Sequence, residues 1–204
     1  SPAYRDNLIE NRTAQCKDLG AIKELIKNTR VFCGTTSSLN GSAALFSIKS
    51  FDIAVVDEAS QILEPHLVGL MSAQCNGTEA IKKFVFIGDH KQLPAVVQQT
   101  ADESAVTDSE LLGINLTDCR LSLFERLLRK YKDDPRYVYM LTRQGRMHRD
   151  IAMFPNISFY ENRLAVVPCP HQEVPLPLHV DCDNGISELL STRRVVFLAA
   201  PSSP

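Results

Sequence analysis

The sequence predicts an α/β fold, a parallel sheet flanked by helices, and three observations predict it. Two runs, Phe51-Asp52-Ile53-Ala54-Val55-Val56 and Phe84-Val85-Phe86-Ile87, are apolar without polar alternation, as buried parallel strands require. Between them Leu63, Leu67, Leu70 and Met71 give Pro65 to Met71 a helical period, so the order strand, helix, strand repeats. The composition agrees: 204 residues, 44% hydrophobic, with 22 Lys plus Arg against 24 Asp plus Glu, excludes disordered and collagen-like classes.

The remaining elements follow in order. Leu19, Ile22, Leu25 and Ile26 predict an amphipathic helix from Asp18 to Lys27 that ends near Asn28. A short strand, Arg30 to Cys33, is expected next, running into the hydroxyl-rich loop Gly34-Thr35-Thr36-Ser37-Ser38. Gln98 to Ser109, rich in Asp, Glu, Ser and Thr, reads as a surface loop. Ser122-Leu123-Phe124-Glu125 is a capping-box pattern opening a helix with Phe124, Leu127, Leu128 and Tyr131 on one face, stopped by Asp133-Asp134-Pro135. Tyr137 to Leu141 predicts another strand, followed by a helix ending at Phe154-Pro155. Pro168 to Pro177 is loop-like, and Leu178 to Asp181 and Arg194 to Ala199 read as two final strands.

Partner classes are bounded by the same counts. No apolar run approaches the roughly 18 residues needed to cross a bilayer, and Ser1-Pro2-Ala3-Tyr4-Arg5-Asp6 lacks the apolar core of a signal peptide. A cytoplasmic protein with no membrane partner is expected. A formal charge of -2 argues against a uniformly basic surface, so any nucleic-acid site is a local patch. The six cysteines show no C-x-x-C pair and are expected as reduced thiols. Cys169, His171 and Cys182 lack a fourth ligand at suitable spacing for zinc.

Three constellations carry chemistry. Asp57-Glu58 closes an apolar strand, where open α/β sheets bind ligands. One carboxylate there can hold a Mg²⁺ hydration shell while the next deprotonates a water; a merely solvated strand end is the alternative. The second strand exits into Gly88-Asp89-His90-Lys91-Gln92-Leu93-Pro94, where Gln92 offers both donor and acceptor to a phosphate oxygen or a lytic water. Read together, the two exits are expected to bring Asp57, Glu58 and Gln92 into one crevice. Arg143, Arg146 and Arg149 recur every third residue around Gln144-Gly145-Arg146-Met147-His148. They read either as a solvated helix face or as the source of an arginine finger, whose planar fork engages two phosphoryl oxygens.

The order of these motifs carries a resemblance. Asp57-Glu58-Ala59-Ser60-Gln61, then Gly88 to Pro94, then Ser122-Leu123-Phe124-Glu125-Arg126-Leu127, then Gln144 to His148 and Phe154-Pro155 through Phe159-Tyr160 resemble superfamily 1 helicases. The branch resembled contains the nonsense-mediated-decay RNA helicases and the replication helicase-nucleases, over about Arg30 to Leu164. The resemblance implies a RecA-like sheet of the P-loop NTPase class, in two domains with ATP between them. It makes Asp57 the Mg²⁺ carboxylate, Glu58 the general base and Gln92 the γ-phosphate sensor. Gln144 and Arg146 would contact nucleotide from the second domain, Arg146 at the γ-phosphate. Thr35 and Thr36 fall where the family touches the nucleic-acid backbone, a simple turn being the other reading of these two. It further implies movement from 5′ to 3′ on single-stranded nucleic acid, with DNA slightly favoured over RNA. At Gly145 the sequence departs from the family, which commonly carries there an aromatic that stacks on adenine.

No glycine of this chain precedes a lysine, so the phosphate-cradling G-x-x-x-x-G-K-S/T loop is absent. The expectation is therefore a segment of a longer helicase, residues 1–143 ending the first RecA-like domain and 144–204 beginning the second. Such a segment, with flanking helicase domains as its partners, is expected to hydrolyse little ATP alone. A degenerate, non-catalytic module that binds nucleic acid or protein is the rival from another class.

Overall fold

The computed structural model describes residues 19–174 and 185–197. Two units are distinguished, one running to Asp134 and the other beginning at Pro135.

In the first unit, α1 (Leu19–Asn28) realises the amphipathic pattern within a residue of its expected span. The strand expected at Arg30 to Cys33 does not form. Val31 is 76% exposed, and no described strand lies alongside to take its backbone hydrogen bonds. Phe32 is held instead by its ring, edge-on to Phe51 at 5.4 Å. Next come α2 (Thr36–Asn40) and α3 (Ala43–Ile48), the latter burying Phe46.

The two apolar runs become β1 (Ala54–Val56) and, further on, Phe84–Phe86. Between them lie a 3₁₀ turn (Ala59–Gln61), α4 (Pro65–Met71) and a hairpin of β2 (Gln74–Cys75) and β3 (Thr78–Glu79). Asn76 and Gly77 link the hairpin with φ of 51° and 78°, the left-handed pair that a tight two-residue turn requires. Phe84–Phe86 is β4, parallel to β1 with Val55 opposite Val85. The helical crossover confirms the α/β reading.

Burial is one-sided, which the apolar runs did not foretell. Val56 joins Phe46, Ala59, Leu67, Leu70, Cys75, Ala80, Ile81 and Leu123 in the core. Ile53, Val55, Val85 and Ile87, on the alternate positions, are 45–62% exposed. Both faces of a parallel sheet normally need cover, and the described elements of this unit cover one.

The expected loop Gln98 to Ser109 contains structure. Thr100 and Glu103 form a reciprocal capping box on α5 (Ala101–Ser104), and Asp108 caps α6 (Ser109–Gly113). The polar residues that suggested a loop are thus helix caps, used by two very short helices. α7 (Leu123–Tyr131) starts where Ser122 accepts from the Glu125 N–H at 3.1 Å. Arg126 on α7 forks onto Glu64 at the start of α4, Nε donating to Oε2 at 2.8 Å, and Nη1 donates to the Ile114 carbonyl at 2.8 Å.

The second unit is organised by another parallel pair, β5 (Arg143–Gln144) and, after α8 (Arg149–Phe159), β6 (Ala165–Val166). The strand expected at Tyr137 to Leu141 is displaced to β5; Tyr139 itself is 85% exposed. The helix does not stop at Phe154-Pro155 but runs through Pro155 to Phe159. Pro155 removes one backbone donor. The side-chain amide of Asn156 then anchors the helix, accepting from Leu164 N–H at 2.8 Å and donating to Leu164 O at 2.9 Å. A 3₁₀ turn (Pro170–Gln172) follows, and α9 (Gly185–Thr192) closes the described chain. Arg194 to Phe197 form no strand, while Leu198, Ala199 and the segment Leu178 to Asp181 lie outside the described residues. Among the described residues no helix is long and apolar enough to cross a membrane.

Candidate active site

In the first unit, backbone and one buried hydroxyl stitch the two strand exits together. Ile87 N–H donates to Val56 O and Ala59 N–H donates to Ile87 O, both at 2.8 Å. The Asp89 N–H donates to the Ser60 hydroxyl at 3.1 Å. A Cβ on Gly88 would lie 2.8 Å from Ser60 N, so a side chain there would wedge the exits apart.

On this base Asp57 and Glu58 are both exposed. Glu58 has φ 50° and ψ 37°, a left-handed conformation costly for a residue with a Cβ. The turn ends the strand abruptly and lets the Glu58 N–H donate to Asp57 Oδ1 at 3.0 Å. Gln61 Nε2 donates to Glu58 Oε2 at 3.3 Å. Gln92 Nε2 donates to Asp89 Oδ2 at 2.9 Å, leaving its carbonyl oxygen turned from that bond. An open depression of about 440 Å³ is lined by Gln61, Lys91, Gln92, Leu93 and Pro94. Gln61 is therefore the bridge, touching Glu58 and facing the same depression as Gln92. Neither Asp57 nor Glu58 lines it, so the expected shared crevice takes in Gln92 but not the acidic pair.

The donor set fits Mg²⁺ held through one carboxylate, water and substrate phosphate. Magnesium keeps several waters and takes one or two protein carboxylates. Asp57 offers an exposed carboxylate with Oδ1 engaged by a backbone N–H, and among the described residues no three His, Cys, Asp or Glu side chains cluster as a protein cage.

In the second unit, Gln144, Gly145, Arg146 and Met147 form a loop fastened from within. Gln144 Oε1 accepts from Arg146 N–H at 3.1 Å and Met147 N–H at 2.8 Å, while its Nε2 donates to Met147 O at 3.0 Å. Both ends of this amide shape the loop. Arg146 is exposed, and the three arginines share no helix face, because Arg143 is in β5, Arg146 in the loop and Arg149 at the start of α8. His148 is buried and caps α8, its Nδ1 accepting from Asp150 N–H at 3.2 Å.

Thr35 has a structural use already. Its hydroxyl caps α2 by accepting from Ser38 N–H at 3.1 Å, which leaves the exposed O–H free to donate; Thr36 is half-buried behind it.

Sequence reading missed three participants: Ser60, Gln61 and Gln172. Ser60 and Gln61 stand in the motif already noted, but only the fold shows that one ties β4 to β1 and the other reaches Glu58. Gln172 lay in a segment that read as loop.

Parallel strands joined by a helical crossover, with an acidic pair at one exit and Gly-Asp and Gln92 at the next, define an α/β domain of RecA-like type. AAA-domain family models match residues 5–100 and 119–195. A probable helicase, MAGATAMA 3 of Arabidopsis thaliana, is 32% identical over 72% of this chain and 15% of its own. An ATP-dependent helicase of Methanocaldococcus jannaschii is 35% identical over 63% of this chain and 16% of its own. The DNA replication ATP-dependent helicase/nuclease DNA2 of Xenopus laevis is 34% identical over 76% of this chain and 13% of its own. The chain thus spans 13–16% of the length of these curated relatives. The two family models together with these relatives place the chain among the superfamily 1 helicases, with helicase/nucleases among its relatives.

Proposed function

We propose that this chain supplies part of the motor of an ATP-dependent helicase or translocase moving on single-stranded nucleic acid. One observation carries the reading: the β1 and β4 exits are bonded together so that the Asp57-Glu58 pair and Gln92 rest on one rigid base. Asp57 would hold Mg²⁺, which when bound neutralises phosphate charge. Glu58 is the general base for the attacking water, and Gln61 orients its carboxylate. Gln92 senses the γ-phosphate. Arg146 would supply charge at the γ-phosphate, and Gln144, whose amide shapes the Arg146 loop, would contact nucleotide from it.

The division of labour follows the expected domains, residues 1–143 ending the first RecA-like domain and 144–204 beginning the second. Thr35 and Thr36 would meet the nucleic-acid backbone, the Thr35 O–H being the available donor. Movement from 5′ to 3′, a preference for DNA and a cytoplasmic site belong to the same proposal. Gly145 carries no ring, so base selectivity is expected to be lower than where an aromatic stacks on adenine.

The test is ATP hydrolysis by the full-length parent with and without single-stranded DNA and RNA, beside Glu58→Gln. Stimulation by one polymer, lost in the variant while ATP still binds, is expected. Unchanged turnover in Glu58→Gln overturns the general-base role. No hydrolysis by folded parent under any condition identifies a non-catalytic binding module.

A further inference from the structure

We propose that Gln172 and His171 are positioning residues for Arg146, a clamp that holds the Arg146 loop from the following 3₁₀ turn. The inference rests on the arginine role proposed above and adds residues that no motif marks.

Gln172 is fully buried, at 0% exposure. Burying an amide is costly unless all its polar atoms find partners, so its bonds identify what it is for. Its Nε2 donates to Gln144 O at 3.0 Å and to Met147 O at 3.1 Å, the two carbonyls bracketing Gly145-Arg146. Its Oε1 accepts from Cys169 N–H at 3.3 Å, fixing the side chain to its own turn. Met147 O accepts from Gln144 Nε2 as well, so the two glutamine amides converge on one carbonyl.

His171 adds a third fastening. Its Nε2 lies 2.8 Å from Gly145 O, and a carbonyl only accepts, so Nε2 carries the proton. Gly145 is exposed, and nothing lies within 4 Å of where its Cβ would stand. A glycine with open space beside it gives the loop no stiffness of its own. The carbonyls of residues 144, 145 and 147 are thus each held from Gln172 or His171. Arg146, the exposed member, is left as the one side chain of the loop projecting without a partner among the described residues. An arginine required to meet a phosphoryl group works only if its backbone is held, since a displacement of about 1 Å can cost roughly 10²-fold in rate.

The test is a double-mutant cycle on the full-length parent, reading kcat and KM for ATP under saturating single-stranded nucleic acid. Gln172→Glu keeps the shape and replaces the donating NH₂ with an oxygen facing two carbonyls. His171→Ala, at an exposed ring, removes one donor without burying or emptying anything. We expect about 10-fold to 10²-fold lower kcat in Gln172→Glu and about threefold lower in His171→Ala, and no further loss from either in an Arg146→Ala background. Equal losses with and without Arg146, or no change in kcat for both variants, overturn the clamp. Should Gln172→Glu fail to fold, judged by circular dichroism, His171→Ala carries the cycle alone. Unchanged kcat in Arg146→Ala itself overturns the arginine role, and the clamp with it.

Discussion

The Ser60 hydroxyl, buried beneath the end of β1, accepts the Asp89 N–H at 3.1 Å and so joins the acidic exit to the glutamine exit. Ser60→Ala leaves a backbone donor without its acceptor, which should cost about 1–2 kcal/mol in a denaturant titration. Gly88→Ala attacks the same joint from the other side, because the added methyl meets Ser60 N at 2.8 Å and Ala59 N at 3.3 Å. Backbone atoms give way reluctantly, so about 1–3 kcal/mol and a lower ATPase rate are expected. A Gly88→Ala parent as stable and as active as the original would show that the exits need not touch.

Arg126 and Glu64 form another long-range tie of the first unit, their side chains 12% and 16% exposed. Arg126→Ala strands Glu64 and frees the Ile114 carbonyl, and should lower stability by about 3 kcal/mol. Replacing both partners, Arg126→Met with Glu64→Leu, should recover most of that loss, because two apolar groups leave no charge unpaired. Thermal melting of the three proteins settles it.

Acid should weaken the fold through Asp118. The Arg120 guanidinium and the Arg120 N–H hold its carboxyl well below the ordinary carboxylate range. A depressed carboxyl is deprotonated in the folded state where the unfolded chain already binds a proton. Its stabilisation is therefore complete above the ordinary value near pH 4 and falls away as pH drops below it. Glu103, lowered by its Thr100 cap, and Asp52, lowered by Lys82, push the same way. Arg120→Met should flatten the slope of stability between about pH 4 and pH 2; an unaltered slope would remove Asp118 from the account.

How much of this was legible depended on whether the signal was local. The helices α1, α4 and α7 announced themselves, since helical period and caps are read within one turn. The runs that became β1 and β4 were legible as well, but Arg30 to Cys33 and Tyr137 to Leu141 misled, because they have strand composition without a described neighbour to pair with. Pro155 misled for a related reason: its local veto on helix is outweighed by the Asn156 anchor to Leu164, eight positions away. For the proposed site, Asp57, Glu58, Gln92 and Arg146 could be nominated from sequence because they lie in motifs at strand or loop ends. Gln144 could be nominated the same way, but that its amide also fastens the loop is seen only in the fold. Gln172 was invisible, since a glutamine among prolines shows its worth only once the Gln144 and Met147 carbonyls are seen to converge on it.

The left-handed backbone of Glu58 sets two independent filters on what that position can be. One filter is chemical: the general base proposed here has to be a carboxylate. The other is stereochemical: glycine, asparagine and aspartate enter such a conformation cheaply, while valine, isoleucine and threonine do not. A complete substitution library at position 58 should therefore separate along two axes, with Asn and Gly abundant but silent and the β-branched variants both silent and scarce. Cellular abundance, measured beside activity, would map the shape of the turn without any structure at all.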